Sequence, residues 1–188
     1  MGKLSLLLLL SAVFTSAAAQ QNSPADSLNN TVTRFHVPGD VTITMADGQG
    51  KKVSEIQAGE PIKCVREGLV QTSRICEVEQ MTDSALWLTT LYLRPVDEAA
   101  ASRSTWPLIP ALMIETAPTA LVTTPEGPRM ISQLRKGDIL YHVEPSTQQI
   151  STWKVGIVRR KSRQVSTLYS VVTEEGTYLL ENLVAQDR

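Results

Sequence analysis

Few side chains in this sequence can carry out chemistry unaided. There are two cysteines, Cys64 and Cys76, and two histidines, His36 and His142, in 188 residues. One Cys pair and two scattered His residues do not make a zinc site, and no other cofactor signature is present, so no metal or cofactor is expected. Gly-x-Ser-x-Gly, a phosphate-cradling Gly loop and His-Glu-x-x-His are all missing, which removes the common hydrolase, nucleotide-binding and metalloprotease signatures. A net charge of −1 gives no electrostatic case for nucleic acid. Aromatics are only 5% of the chain. Thr, Val, Ile and Leu are plentiful, which suits an all-β protein. No apolar run approaches the length of about 20 residues that a membrane span needs, so no transmembrane segment is expected.

The longest apolar run, residues 4–14, instead follows Lys3 and precedes Ala17-Ala18-Ala19. That is the charged, apolar and small-residue order of a secretory signal peptide covering residues 1–19. A soluble, secreted protein beginning near Gln20 is expected. Residues 20–34 are polar and read as a short flexible lead. Asn29 heads an Asn-x-Thr sequon within it, which is either glycosylated or unused. The remaining length suits one good-sized domain.

That domain is organised around residues 34–65. Val41, Ile43 and Met45 alternate with Thr42 and Thr44, the period of a half-buried strand. Asp47-Gly48 supplies a turn, and Gly59-Glu60-Pro61 a second one. A related stretch returns at residues 121–143. Shifted by 78 positions, Val53 meets Ile131, Ser54 meets Ser132, Ile56 meets Leu134, Gly59 meets Gly137, Glu60 meets Asp138 and Ile62 meets Leu140. One inserted residue brings Gly48 to Gly127. Two diverged copies of one β unit are implied.

This pattern, hydrophobe-Pro-Gly-x-x-Val followed by x-Gly and then Val/Ile-x-x-Leu/Ile-x-x-Gly-Asp/Glu, resembles the start of a Hint domain. Hint domains are the hedgehog/intein autoprocessing fold, and the similarity is greatest to hedgehog C-terminal domains. The resemblance covers residues 35–186. It implies a compact all-β fold of two pseudo-twofold repeats, here 36–94 and 119–186, joined by a linker at 95–118 with a helical turn around 97–102. Residues 86–93, 153–159, 168–173 and 178–184 read as strands, with Glu175-Gly176 a turn. The basic cluster at residues 159–163 reads as a solvated hairpin loop. The segment from Tyr169 to Asn182 resembles the closing hairpin of hedgehog-type domains.

The resemblance also implies a reaction. A Cys at the first residue of such a domain attacks the preceding carbonyl, and a second nucleophile resolves the thioester; in hedgehog proteins that nucleophile is a sterol. Aligning Pro38-Gly39 with the family's Pro-Gly puts His36 where the Cys belongs. In the Leu-x-Leu-Thr-x-x-His strand, Thr89 is kept and Tyr92 takes the His position. A phenol, which titrates at about 10, is a poor proton shuttle at neutral pH. The aspartate used for sterol activation has no clear counterpart, Glu79 or Gln80 falling nearest. About fifteen residues precede His36 after signal cleavage, so no signalling domain to release is expected, and no sterol-recognition tail is expected after Arg188. Glu67-Gly68 lies between Cys64 and Cys76 as a hairpin turn. Two readings stay open: a cross-strand disulfide, which needs Cα atoms within about 7 Å, or two free buried thiols. His142 reads as a satisfied strand histidine rather than a catalyst. The expectation is a pseudo-enzyme: a degenerate Hint domain unable to cleave itself and retained to bind a protein or surface ligand. The alternative is an active autoprocessing domain cutting Phe35-His36, and only then would sterol be a partner.

Overall fold

The computed structural model describes residues 35–96 and 112–188, apart from the side chains of residues 84 and 85. The expected signal peptide, the lead with Asn29 and the helical turn around 97–102 lie outside the described residues.

Twelve strands follow one another along the described chain. The first repeat holds β1 (His36–Pro38), β2 (Thr42–Thr44), β3 (Gly50–Lys52), β4 (Pro61–Arg66) and β5 (Leu69–Pro95). The second holds β6 (Leu112–Thr116), β7 (Leu121–Thr124), β8 (Gly127–Met130), β9 (Ile139–Val143) and β10 (Ile150–Thr173). A hairpin of β11 (Thr177–Leu180) and β12 (Leu183–Gln186) completes the sheet.

The duplication extends to individual hydrogen bonds. Each copy carries one 3₁₀ turn, Val53–Glu55 and Ile131–Gln133. The Val53 and Ser54 amides donate to the Val41 and Gly39 carbonyls, and the Ile131 and Ser132 amides to those of Ala120 and Pro118, all at 2.9 Å. Gly59 and Gly137 turn the chain at φ 87° and 104°, a left-handed region that an L side chain occupies only with strain. After each glycine the acidic residue does the same two jobs. Glu60 accepts the Gln57 amide and pairs with Lys51, while Asp138 accepts the Arg135 amide and pairs with Arg129.

The copies exchange their leading strands. β1 pairs with β10 of the second copy, His36 opposite Ser170, and β6 pairs with β5 of the first, Ile114 opposite Leu91. The closing hairpin serves both copies, β11 lying on β2 and β12 on β7. Val53, Ile56 and Ile62 from one copy and Ile131, Leu134 and Leu140 from the other meet in a single core. Each such side chain contributes about 1.5–3 kcal/mol of burial. This is the expected all-β architecture of two related repeats.

Four local expectations are corrected. The strand expected at 86–93 is part of the 27-residue β5, and the basic cluster at 159–163 lies inside the 24-residue β10 rather than in a loop. These strands pair along their length through several register shifts. Most of their central side chains are exposed. A ribbon wet on both faces needs no alternating apolar pattern, so its sequence resembles a loop. The 95–118 linker contains a strand, β6. Residues 178–184 form a hairpin, because Glu181 and Asn182 both take positive φ, 50° and 64°, between β11 and β12.

Candidate functional site

The candidate nucleophile position is set by strand β1. Val37 is fully buried and anchors the strand in the core. Immediately after Pro38, Gly39 lies flat against its neighbours: a Cβ there would come within 2.6 Å of Tyr169 Cε2 and 3.1 Å of Ser54 Cβ. Only glycine admits that approach without displacing the ring. His36 therefore presents a half-buried imidazole at the head of β1, opposite Ser170.

Thr89 and Tyr92 lie on β5, where the ladder is unbroken on both sides. Thr89, Thr90, Leu91 and Tyr92 face Thr116, Glu115, Ile114 and Met113 on β6, and Arg160, Arg159, Val158 and Ile157 on β10. Side chains on such a strand alternate faces. Thr89 is buried, on the inward face with the fully buried Leu91 and Leu93. Tyr92 is on the outward face, half-buried, with the Arg159 guanidinium 5.7 Å from its ring centroid. The structure thus brings Thr89 beside Thr116, whose buried hydroxyl has no hydrogen-bond partner among the described residues, and separates it from Tyr92.

Two polar clusters were not visible in the sequence. In one, Glu115 on β6 accepts from Thr90 Oγ1 (3.3 Å), Ser162 Oγ (2.7 Å) and Arg163 Nε (2.6 Å), while Arg163 also holds Asp40 at 2.7 Å. Partial burial pushes the Glu115 carboxyl up, but the donors from Ser162 and Arg163 outweigh it and hold it below the usual range. The segment just after Pro38-Gly39 is thereby tied to both long strands. Arg163 belongs to the basic cluster seen in the sequence, but partners 48 and 123 positions away leave no local signal.

The second cluster surrounds His142. This histidine is 5% exposed on β9, its ring centroid 5.0 Å from that of Trp153. Its Nδ1 comes within 3.3 Å of Glu144 Oε1 but makes no hydrogen bond of proper geometry. Trp153 Nε1 donates to Ser151 Oγ at 3.0 Å, and Ser151 Oγ donates to Glu144 at 2.7 Å. Burial lowers the His142 pKa despite the nearby carboxylate, and the Ser151 hydroxyl lowers that of Glu144. Ser151 is bonded to the carboxylate rather than to the imidazole, so the set does not activate a hydroxyl nucleophile.

The cross-strand disulfide is overturned. Glu67 and Gly68 do form the turn between β4 and β5, at φ 52° and 75°. The resulting register sets Cys64 opposite Gln71 and Pro61 opposite Arg74. Cys76 lies five residues beyond Gln71 along β5, about 17 Å at strand spacing. Both thiols are free, Cys64 buried and Cys76 exposed. Among the described residues, no three His, Cys, Asp or Glu side chains converge as a metal site, and no helix is long and apolar enough to cross a membrane.

No protein-family model matches the chain, and no curated protein matches it in sequence. Solved structures do match. A DnaB intein from Synechocystis sp. PCC 6803 aligns at 11% identity with a TM-score of 0.63, covering 81% of this chain and 98% of the intein. An intein from a hyperthermophile aligns at 17% identity and 0.60, covering 82% and 99%. A bacterial intein-like domain from Clostridium thermocellum aligns at 15% identity and 0.56, covering 82% and 98%. Identities this low establish architecture, and the architecture agrees with the two exchanged repeats described above. The chain has the Hint fold, the fold of inteins.

Proposed function

We propose that this chain is a secreted, hedgehog-type Hint domain that does not cleave itself and acts as a binding module for a protein or surface ligand. The observation that carries the reading is the loss of both reacting groups: His36 stands at the Cys position, and Tyr92, packed under Arg159, stands at the His position. Cleavage by acyl shift needs a soft nucleophile on the first residue and a proton donor beside the departing amine. His36 offers an imidazole, and an acyl-imidazole formed from an unstrained amide lies well uphill. Thr89 can orient a carbonyl but is itself no acid. Tyr92 is three residues on, facing outward and engaged with Arg159. Secretion is supported by the signal-like order of residues 1–19.

The test is a reporter fusion. A folded reporter is joined ahead of Phe35, and the purified fusion is incubated with dithiothreitol, hydroxylamine and, separately, a sterol. The fusion stays at full length in each case. A reporter released with its new end at Phe35 would replace this reading with the autoprocessing one.

A further inference from the structure

We propose that the outward face of β5, between β6 and β10, is the docking surface for an extended acidic segment of a partner protein. This deepens the binding-module reading and rests on it. Met113, Tyr92 and Ile157 stand opposite one another across three strands and so form one row on one face. Met113 is 62% exposed and Ile157 56%, and neither has a packing role in the core. Beside this row, Arg94 faces Lys154 across the same ladder, and Arg159 follows Ile157 on the same face. Among the described residues, none of Arg94, Lys154 and Arg159 has a carboxylate partner; the nearby carboxylate on this face, Glu115, is already taken up by Arg163, Ser162 and Thr90.

Three cations with no carboxylate partner among the described residues, set around an apolar row, fit a ligand that supplies carboxylates beside apolar side chains. Among the described residues β6 pairs only with β5, which leaves its outer edge with main-chain donors and acceptors to offer. That edge suits a polypeptide strand and has no use for a lipid surface. The occupant assigned is therefore an extended peptide segment in which Asp or Glu alternates with Leu or Val.

The experiment uses the full secreted protein and a fluorescein-labelled peptide alternating Glu with Val, read by anisotropy. Binding is expected, with a Lys-for-Glu peptide failing to compete. Ile157→Ser and Arg159→Glu each weaken binding by about tenfold or more while their urea midpoints match wild type. The proposal is overturned if the acidic peptide does not bind, if the Lys peptide binds equally, or if neither variant weakens binding. It is also overturned if phosphatidylserine vesicles bind through this face in place of the peptide, or if the protein self-associates through it. An intact-mass spectrum of the same sample separates the two levels: a cut at Phe35-His36 removes the binding-module reading itself, whereas an intact chain that ignores the peptide removes only this surface.

Discussion

Thr89 and Tyr92 lie three residues apart on one regular strand and face opposite sides of the sheet. Thr89 points into the core beside Thr116, and Tyr92 points outward beside Met113 and Ile157. His36 in turn stands opposite Ser170, which pairs with Glu79, ten positions from Thr89 along β5.

This geometry makes a strong claim about a rescue experiment. The double variant His36→Cys, Tyr92→His supplies the two missing groups, yet the register sets the new thiol opposite Ser170, in line with Glu79 rather than Thr89 on β5. In the reporter fusion it shows no thiol-dependent cleavage above wild type. Efficient cleavage by this variant would show that residue 36 meets Thr89 and position 92 despite that register.

The turn glycines predict equal penalties in the two repeats. Gly59→Val and Gly137→Val each force a β-branched residue to positive φ, at a cost of about 1–3 kcal/mol. Urea unfolding of each single variant measures it. A midpoint unchanged in either would contradict the left-handed turn in that copy.

Burial of His142 predicts a pH dependence with a definite sign. Its folded pKa lies below 6.5, so as pH falls through 6.5 the unfolded chain takes up the proton before the folded one does. Stability is unaffected by this group above that pH and declines below it. Lowered carboxylates such as Glu60 and Glu144 add their losses only below about 4.5. His142→Gln therefore flattens the stability profile between about pH 6.5 and 5 relative to wild type. An unchanged slope would place the proton uptake elsewhere.

The two thiols differ in access. Iodoacetamide under native conditions modifies the exposed Cys76 and spares Cys64, whose thiol burial pushes to higher pKa; both react after unfolding. The mass is unchanged by dithiothreitol. A native protein in which neither thiol reacts until reduction would restore the disulfide.

Much of the fold was legible because the signals were local. Gly59-Glu60 and Gly137-Asp138 match in the sequence, and the structure gives them the same φ sign, with an amide partner and a cation at equivalent positions. What stayed hidden depends on register. The two-residue Glu67-Gly68 turn already sets Arg66 opposite Leu69, and counting back from it puts Cys64 opposite Gln71. The register that turn imposes leaves Cys76 well beyond Cys64's partner on β5. The opposition of Thr89 and Tyr92 needed the further fact that β5 carries no bulge between them. Arg163 meeting Glu115 and Asp40 arises from strand exchange between the repeats, which no window of sequence contains.

The central claim is that the chain does not cut itself, and the mass of the purified protein tests it directly. Held for a day at neutral pH with hydroxylamine, the purified protein should keep one unchanged mass, with no species cut at Phe35-His36. A species beginning at His36 would contradict the account and establish an autoprocessing domain that works without cysteine.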